Sequence, residues 1–280
     1  FVFDRLKNKQ ERADLASQIK KVFPSVPITA ELHFVEHHRA HMASAFYASN
    51  FMDAAVVSVD GFGDFSSSGR GYGSDTTLSV DDHVFFPHSL GAFYTAITQY
   101  LGFPNYGDEY KVMGLAPYGR PLFFDQMNKI VQLFPDGHYE LDLKYFTHAS
   151  QRLPHQWSNG SPVVGTHFSE SLVDLLGPTR QSDHPLEQFH MDIAHSAQLM
   201  YEKAFFNLLR SLYQKYPVDN LCLAGGCGNN SVANGKITRS TPFTHLYVQA
   251  AAGDAGGALG SALDIWHKLG NSRCKSMGAA

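Results

Sequence analysis

Several features are scarce or absent in this sequence of 280 residues, and each absence excludes a class of protein. The three cysteines, Cys222, Cys227 and Cys274, cannot all pair with one another and lack the spacing of a zinc finger. We therefore expect a protein of a reducing, cytoplasmic compartment. A run of about 18 apolar residues that could cross a membrane is absent, and the early charged segment KNKQERAD is unlike a signal peptide. The sequence thus predicts neither export nor membrane insertion.

A surplus of basic residues is missing as well. The chain has 22 lysine and arginine residues against 26 aspartate and glutamate residues, which gives a net charge of -4. Surfaces that bind nucleic acids are strongly basic because they neutralise phosphates, so we expect no nucleic-acid partner. What the chain does have is 44% hydrophobic residues, enough to build a sizeable core.

The hydrophobic pattern predicts an α/β fold with mixed sheets flanked by helices. The β-branched run AAVVSVD, residues 54–60, is typical of a buried strand, and the glycine-rich GFGDFSSSGRGYG after it predicts a turn and a hairpin. Two later segments, LCLAGG and HLYVQAAAGDAGGALGSAL, each predict a strand, a glycine turn and a helix, the first helix beginning near Asn230. GDEYKVMGLAPYG, residues 107–119, is predicted to be a loop, and residues 135–184 to be strands and loops.

The segment HHRAH places two imidazoles, His37 and His41, four residues apart at the start of a helix of small residues. Positions i and i+4 lie on the same helix face, so both rings can direct a nitrogen at one point about 2 Å from each. This arrangement suits a bidentate metal site. The alternative is chance, because 15 histidines in 280 residues make such a pair unsurprising. His38, between them, should point elsewhere and needs only a hydrogen-bond partner.

Asp254 is the best candidate for a third ligand because it lies in a strand-to-helix turn ahead of a glycine-rich helix. Aspartate at such a position also commonly caps a helix, and both roles can hold at once. Two histidines and one carboxylate form a ligand set that suits Fe(II) or a similar divalent ion and leaves coordination positions open. The residues alone therefore make His37, His41 and Asp254 a candidate metal site if the fold brings the three side chains together.

Glycines next to helix starts form a second group of candidates, for binding a nucleotide. Backbone amides at a helix N-terminus attract phosphate oxygens, and glycine permits close approach of a ligand. The sequence has no P-loop and no dinucleotide-binding fingerprint, and tight packing of helix against strand explains glycine there equally well. The candidates are Gly225 and Gly226 in one turn and Gly253 and Gly256 in the other.

Asp60 and Lys111 are the candidate catalytic residues. Asp60 and Asp64 in VDGFGD place two carboxylates at the end of a buried strand, where a metal, a sugar hydroxyl or a proton can be handled. Turn formation by Asp-Gly explains Asp60 equally well. Lys111 could neutralise a phosphate or polarise a carbonyl, although most lysines are solvated surface residues.

Taken in order, five stretches resemble the successive motifs of the O-carbamoyltransferase family, which includes the nodulation-factor and tobramycin carbamoyltransferases. They are FVEHHRAHMASAFYASNF, VVSVDGFGD, GDEYKVMGLAPYG, LCLAGGCGNNSVANGKI and QAAAGDAGGALGSAL. The match covers nearly the whole chain from about residue 30, and the ordered set is far more specific than any one member. The resemblance implies a partial actin/Hsp70-like ATPase (ASKHA) fold.

The same resemblance implies a mechanism and assigns residues to it. A metal, iron by this resemblance, is held by the residues that match His37, His41 and Asp254. Asn230 and the Gly225–Gly226 turn match the stretch that holds the nucleoside. Carbamoyl phosphate and ATP are converted to carbamoyl-adenylate in a separate YrdC-like domain. The carbamoyl group then passes at the metal site to a hydroxyl of a sugar or natural product.

The chain also departs from the family pattern. It lacks the opening hairpin with a functionally important histidine, and it stops soon after Leu269, before a YrdC-like domain. We therefore expect residues 1–280 to be a fragment of the transfer domain, with two lobes of about 1–185 and 186–280 and with weak binding and turnover on its own. Two alternatives stay open: a tRNA threonylcarbamoyladenosine transferase-like protein, and a non-catalytic nucleotide-binding module.

Overall fold

The computed structural model describes residues 15–27, 29–151, 155–158 and 161–273. The described residues up to Phe34 belong to one compact unit, and those from Val35 onward form a second. The lobe boundary predicted near residue 185 falls inside the second unit. Among the described residues, no helix is both long and apolar enough to cross a membrane.

Nine strands are present among the described residues: β1 (Asp53–Gly63), β2 (Ser66–Ser74), β3 (Thr77–Phe85), β4 (Val131–Leu133), β5 (Tyr139–Leu141), β6 (His155–Ser158), β7 (Ser161–Val164), β8 (Asn220–Ala224) and β9 (His245–Val248). Five of them form a mixed sheet of order β3-β2-β1-β8-β9. Strands β1, β2 and β3 are an antiparallel meander, whereas β8 pairs in parallel with both β1 and β9. The mixed sheet predicted from the sequence is therefore confirmed. Strands β4 and β5, and β6 and β7, form two small hairpins.

Ten α-helices accompany these strands in the same described ranges. They are α1 (Leu15–Val22) in the first unit and, in the second, α2 (His37–Phe46), α3 (Leu90–Tyr100), α4 (Glu109–Leu115), α5 (Phe124–Ile130), α6 (Glu170–Leu176), α7 (Gln188–Lys215), α8 (Ser231–Asn234), α9 (Ile237–Ser240) and α10 (Gly256–Lys268).

Strand β1 is buried on both faces, as its continuous apolar run predicts. Alternate residues of a strand point to opposite faces, and here Ala55, Val57 and Val59 enter a large core shared with α3 and α7. Ala54 and Val56 enter a smaller core shared with α2. Helices thus cover both faces of the sheet, and α2 is held against the face of β1 opposite to the large core.

Two predictions about local structure are wrong. Residues 107–119 are not a loop, because α4 runs through Glu109–Leu115 and a 3-10 turn, Ala116–Tyr118, follows. Val112 and Leu115 are buried in the large core, so a short helix gains packing that turn-rich composition does not reveal. Residues 135–184 contain the helix α6 besides the predicted strands and loops. The predicted helix near Asn230 is only the four-residue α8, which Asn230 caps.

Candidate metal centre

Helix α2 begins at His37 and carries His37 and His41 on one face, as their spacing predicts. The Glu36 side chain caps the helix and accepts a hydrogen bond of 3.0 Å from the amide of His38. The amide of His37 donates to Asp64 Oδ2 at 2.9 Å. Because these bonds satisfy amides that have no partner within the helix, they fix the position of the turn from which the two imidazoles project.

Four side chains converge where β1 ends. The Nε2 atoms of His37 and His41 lie 3.1 Å apart. Asp60 Oδ2 lies 3.1 Å from Nε2 of His37 and 2.9 Å from Nε2 of His41. Asp254 Oδ1 lies 3.8 Å and 3.5 Å from the same two atoms. The structure thus brings together the three predicted ligands and adds Asp60, all four offering ligand atoms within 4.8 Å of one another.

These four potential ligands, His37, His41, Asp60 and Asp254, are called the metal cluster below. Protein buries one side of the group, and the other side is open to solvent. The side chain of His41 is 1% exposed and that of Asp60 is 14% exposed, whereas that of Asp254 is 74% exposed. Imidazole nitrogen and carboxylate oxygen together suit divalent iron, manganese or zinc. The residues present therefore fit a divalent metal, and the exposed side leaves room for a further ligand.

The charges of the cluster stabilise one another. Although burial favours the neutral carboxyl, hydrogen bonds with His37 and His41 lower the pKa of Asp60 well below its ordinary value. Burial likewise favours neutral His41, but hydrogen bonds with Asp254 and Asp60 outweigh it and raise the pKa of His41 to about 9. The cluster therefore attracts positive charge, which either a proton or a metal cation can supply.

Two glycines leave the space that these side chains occupy. A Cβ at Gly63 would lie 2.0 Å from Cδ2 of His37, and a Cβ at Gly226 would lie 2.7 Å from Oδ1 of Asp60. Gly63 was not singled out by its sequence, although it lies in the VDGFGD stretch. Gly226, which was predicted to bind a nucleotide, lies directly behind the carboxylate of Asp60.

The structure also tests two further predictions, that His38 points away from the other histidines and that Asp254 caps a helix. His38 points away from it, as predicted: its Nδ1 lies 2.9 Å from Ser58 Oγ, and burial lowers the pKa of the ring to about 4. Helix α10 has no side-chain cap at its start. The backbone carbonyl of Asp254, not its side chain, accepts a hydrogen bond of 2.9 Å from the amide of Gly257. The capping role for the Asp254 carboxylate is therefore wrong, and this carboxylate lies beside the histidines.

The other glycines of the predicted nucleotide site are explained largely by close backbone packing. Gly225 has a φ of +89°, and a Cβ there would lie 2.2 Å from the carbonyl oxygen of Val59. A Cβ at Gly256 would lie 2.2 Å from the carbonyl oxygen of Ala251, whereas at Gly253 it would meet nothing within 4 Å. Tight packing, the alternative weighed from the sequence, accounts for Gly225 and Gly256.

Asn230 is held inside the protein by its own neighbours. It is 6% exposed, and its amide exchanges hydrogen bonds of 3.1 Å and 3.0 Å with the amide of Gln198. Its Oδ1 also accepts from the backbone amide of Ala233 at 3.0 Å, which caps α8. These contacts give Asn230 a structural role, and nucleotide binding at Gly225, Gly226, Asn230, Gly253 and Gly256 stays a prediction.

Lys111 lies on α4 and already has a partner. Its Nζ forms an ion pair of 2.7 Å with Asp108 Oδ1 and lies 5.4 Å from the ring centroid of Phe103. The Asp108 side chain is only 9% exposed and that of Lys111 is 33% exposed, so the ion pair orients an ammonium that solvent can still reach. The catalytic role of Lys111 stays a prediction.

Comparison with known proteins decides the family. The family model described as "Carbamoyltransferase N-terminus" matches residues 8–263. The chain belongs to this family. The resemblance recognised in the ordered motifs is therefore confirmed.

Three relatives show how much of a longer protein the chain represents. NolNO, a nodulation protein of Sinorhizobium fredii, is 35% identical, with 87% of this chain and 32% of that protein aligned. NolO, a nodulation protein of Bradyrhizobium diazoefficiens, is 37% identical, with 84% and 39% aligned. The uncharacterized protein sll1178 of Synechocystis is 41% identical, with 86% and 38% aligned. The chain thus spans between about a third and two fifths of the length of these relatives.

Among solved structures, the chain resembles HypF of T. kodakarensis with a TM-score of 0.45 and 17% identity, over 92% of this chain and 39% of that one. Full-length HypF in a phosphate- and nucleotide-bound form gives a TM-score of 0.45 and 14% identity, over 89% and 45%. A likeness at this level is too weak to support an inference.

Proposed function

We propose that the chain is the metal-bearing transfer domain of an O-carbamoyltransferase, which moves a carbamoyl group from carbamoyl-adenylate to a hydroxyl of a sugar or natural product. The observation that carries this proposal is the convergence of His37, His41, Asp60 and Asp254 at one point, in a chain that belongs to the carbamoyltransferase N-terminus family. The sheet order β3-β2-β1-β8-β9, with an antiparallel meander followed by parallel strands, supports the actin/Hsp70-like (ASKHA) fold as its framework.

The metal cluster would hold a divalent metal, which we propose to be Fe(II), through two imidazole nitrogens and two carboxylate oxygens. When bound, such a cation supplies a positive charge that stabilises negative charge growing on phosphate and carbonyl oxygens. Asp60 and the buried His41 form the fixed side of the site. The exposed Asp254 lies on the side from which a substrate can enter.

The choice of donor follows from the electronic structure of a carbamoyl group. Nitrogen donates into the carbonyl and makes its carbon a poor electrophile, so the carbamoyl group reacts readily only as a mixed anhydride, in which AMP is a good leaving group. We propose that a YrdC-like domain of the longer protein makes this anhydride by hydrolysing carbamoyl phosphate to carbamate and phosphate, after which the carbamate oxygen attacks the α-phosphorus of ATP and displaces pyrophosphate. The present chain would then orient the anhydride and the acceptor hydroxyl, which alone can contribute a large part of a rate enhancement.

Synthetic carbamoyl-adenylate tests the proposal, because it bypasses the step assigned to another domain. With Fe(II) present, the chain should transfer a labelled carbamoyl group to a hydroxyl in a panel of sugars and aminoglycosides. His41→Ala and Asp254→Ala should lower the transfer rate by at least about 100-fold (~2.7 kcal/mol). His184→Ala, a change at an exposed histidine, should leave it unchanged.

Metal analysis is the second measurement. Wild type and His184→Ala purified with Fe(II) should retain more iron than His41→Ala and Asp254→Ala. Equal iron in all four proteins would remove the metal assignment, and transfer that is equally fast in all four would remove the function.

A further inference from the structure

The hairpin that joins β1 to β2 ends in a strained two-residue turn. Gly63 pairs with Ser66 across the hairpin. The two residues between them, Asp64 and Phe65, both have positive φ, of 45° and 70°, as in the type I′ turn that suits a hairpin. Glycine, asparagine and aspartate are usual at such positions, because the left-handed region crowds Cβ against the following carbonyl oxygen. The backbone at Phe65 is therefore in a conformation that disfavours a bulky side chain.

Burial does not explain why a phenylalanine is present in this turn. Phe65 is 57% exposed, so its ring recovers only part of the free energy that burying an aromatic side chain provides. Its carbonyl accepts a hydrogen bond of 2.8 Å from the amide of Phe86, which holds the backbone of the turn but requires no aromatic side chain. Residues kept in sparsely populated backbone regions cluster at active sites and ligand-binding segments. The combination of strain and exposure thus points to a function of the ring.

The strained turn adjoins the metal cluster on the side that solvent reaches. Asp64 Oδ2 accepts a hydrogen bond of 2.9 Å from the amide of His37, and a Cβ at Gly63 would lie 2.0 Å from Cδ2 of the same histidine. The side chain of His37 is 24% exposed, whereas that of His41 is 1% exposed. The tip of the hairpin therefore lies next to the imidazole that a substrate can approach.

The sheet order separates this turn from the predicted nucleoside site. Strand β1 lies between β2 and β8. Asp60, near the end of β1, therefore has the β1–β2 turn on one side and the Gly225–Gly226 turn, which follows β8, on the other. A Cβ at Gly226 would lie 2.7 Å from Oδ1 of Asp60, so the glycine turn is in contact with the cluster. With the nucleoside of the donor at the glycine turn, as the sequence predicts, the hairpin side is left for the acceptor.

We infer that Phe65 is a specificity-determining residue, whose exposed ring packs against the acceptor during transfer of the carbamoyl group at the metal cluster. The inference rests on the proposed function, because it assigns the acceptor side of the same site. An aromatic ring supplies a large contact area at a low cost in conformational entropy, since only two side-chain torsions become fixed. Phe65 thus binds the acceptor and takes no part in the bond changes themselves.

Phe65→Asn tests this role, because asparagine tolerates the left-handed region and the ring is lost. The variant should unfold at a midpoint temperature no lower than that of the wild type. With carbamoyl-adenylate as the donor, and with the same panel of sugars and aminoglycosides, its kcat/KM for the acceptor should fall at least about tenfold, as expected for loss of one apolar contact. Most of this change should be in KM. Phe65→Trp, which keeps an aromatic face, should stay within about threefold of the wild type.

The controls separate the acceptor from the donor and from the metal. Release of AMP without an acceptor measures transfer to water, and together with iron content it should be unchanged in Phe65→Asn. Asp75→Asn is the matched variant, since Asp75 also has a positive φ, of 50°, in the turn between β2 and β3. Because β2 is antiparallel to β1, that turn lies at the opposite edge of the sheet. Asp75→Asn should leave all these measurements unchanged.

Each other outcome overturns the inference in a distinguishable way. Acceptor kinetics of Phe65→Asn equal to those of the wild type would remove the role of the ring and leave the proposed function standing. A clearly lower unfolding midpoint, or slower transfer to water, would show that Phe65 supports packing or the donor instead. A wild type that carbamoylates no acceptor of the panel would remove the proposed function and this inference with it.

Discussion

At the scale of single residues, the position of His37 depends on three neighbours from the stretch VDGFGD. Gly63 leaves the volume into which the ring fits, Asp64 holds the backbone amide, and Asp60 contacts Nε2. Because protein interiors are closely packed, a ring in this position cannot move without moving its neighbours. The stretch VDGFGD therefore fixes both the backbone and the ring position of His37, the first residue of α2.

Gly63→Ala should weaken metal binding although it removes no ligand. The new Cβ would displace the His37 ring, because the two would lie 2.0 Å apart. We expect the dissociation constant for Co(II) or Fe(II) to rise at least about tenfold, or ~1.4 kcal/mol, in a titration followed by absorbance or calorimetry. Gly61→Ala is the matched control, since a Cβ there meets nothing within 4 Å. Equal affinities in the two variants would contradict this account of the site.

At the scale of elements, the site depends on how α2 lies against α10. A Cβ at Gly260 would lie 1.8 Å from the carbonyl oxygen of Ala40, so the two helices are in backbone contact. Arg39 of α2 donates through Nε to Asp264 of α10 at 2.8 Å, and the Asp264 carboxylate is fully buried. The backbone contact between Gly260 and Ala40 and the ion pair between Arg39 and Asp264 together fix α2, which carries the histidines, against α10, which follows Asp254.

Gly260→Ala should therefore lower the free energy of unfolding, by about 1–3 kcal/mol as overpacking of a close contact usually does. Gly257→Ala, three residues earlier on the same helix, is the control because its Cβ meets nothing within 4 Å. That change should be neutral or stabilise by up to about 1 kcal/mol, since alanine favours helix. Urea denaturation of both variants measures the difference, and a similar loss in both would show that the close contact does not matter.

At the scale of the whole molecule, the sheet brings distant segments to one edge. Strands β1, β8 and β9 are parallel neighbours, so Asp60 near the end of β1 and the turn that carries Asp254 after β9 lie at the same edge. The carboxyl edge of such strands is where ligands bind in α/β sheets. The metal cluster is therefore assembled from residues up to 217 positions apart, from His37 to Asp254.

Because the metal would bind only the assembled site, it should stabilise the whole second unit. At a free metal concentration 100 times its dissociation constant, linkage adds about 2.7 kcal/mol to the free energy of unfolding. We expect a higher midpoint of thermal unfolding with Fe(II) or Co(II), and its reversal by EDTA. His41→Ala should show neither effect. A metal-induced shift of the same size in His41→Ala would place the binding elsewhere.

The sequence by itself determined the local features: the buried strand at 54–60, the helix that carries His37 and His41 on one face, and the glycine turn ahead of α10. These follow from periodicity and from the i,i+4 geometry of a helix, which neighbouring residues set. Short segments were less predictable, because α4 and α6 are helical through packing of residues such as Val112 and Leu172 against the core. The carboxylate of Asp60 joined the cluster and Gly226 proved to back that carboxylate, both through contacts that only the tertiary structure decided. The physical reason is that strand order and register, which bring residues far apart in the chain within 4.8 Å, arise from the packing of the whole sheet.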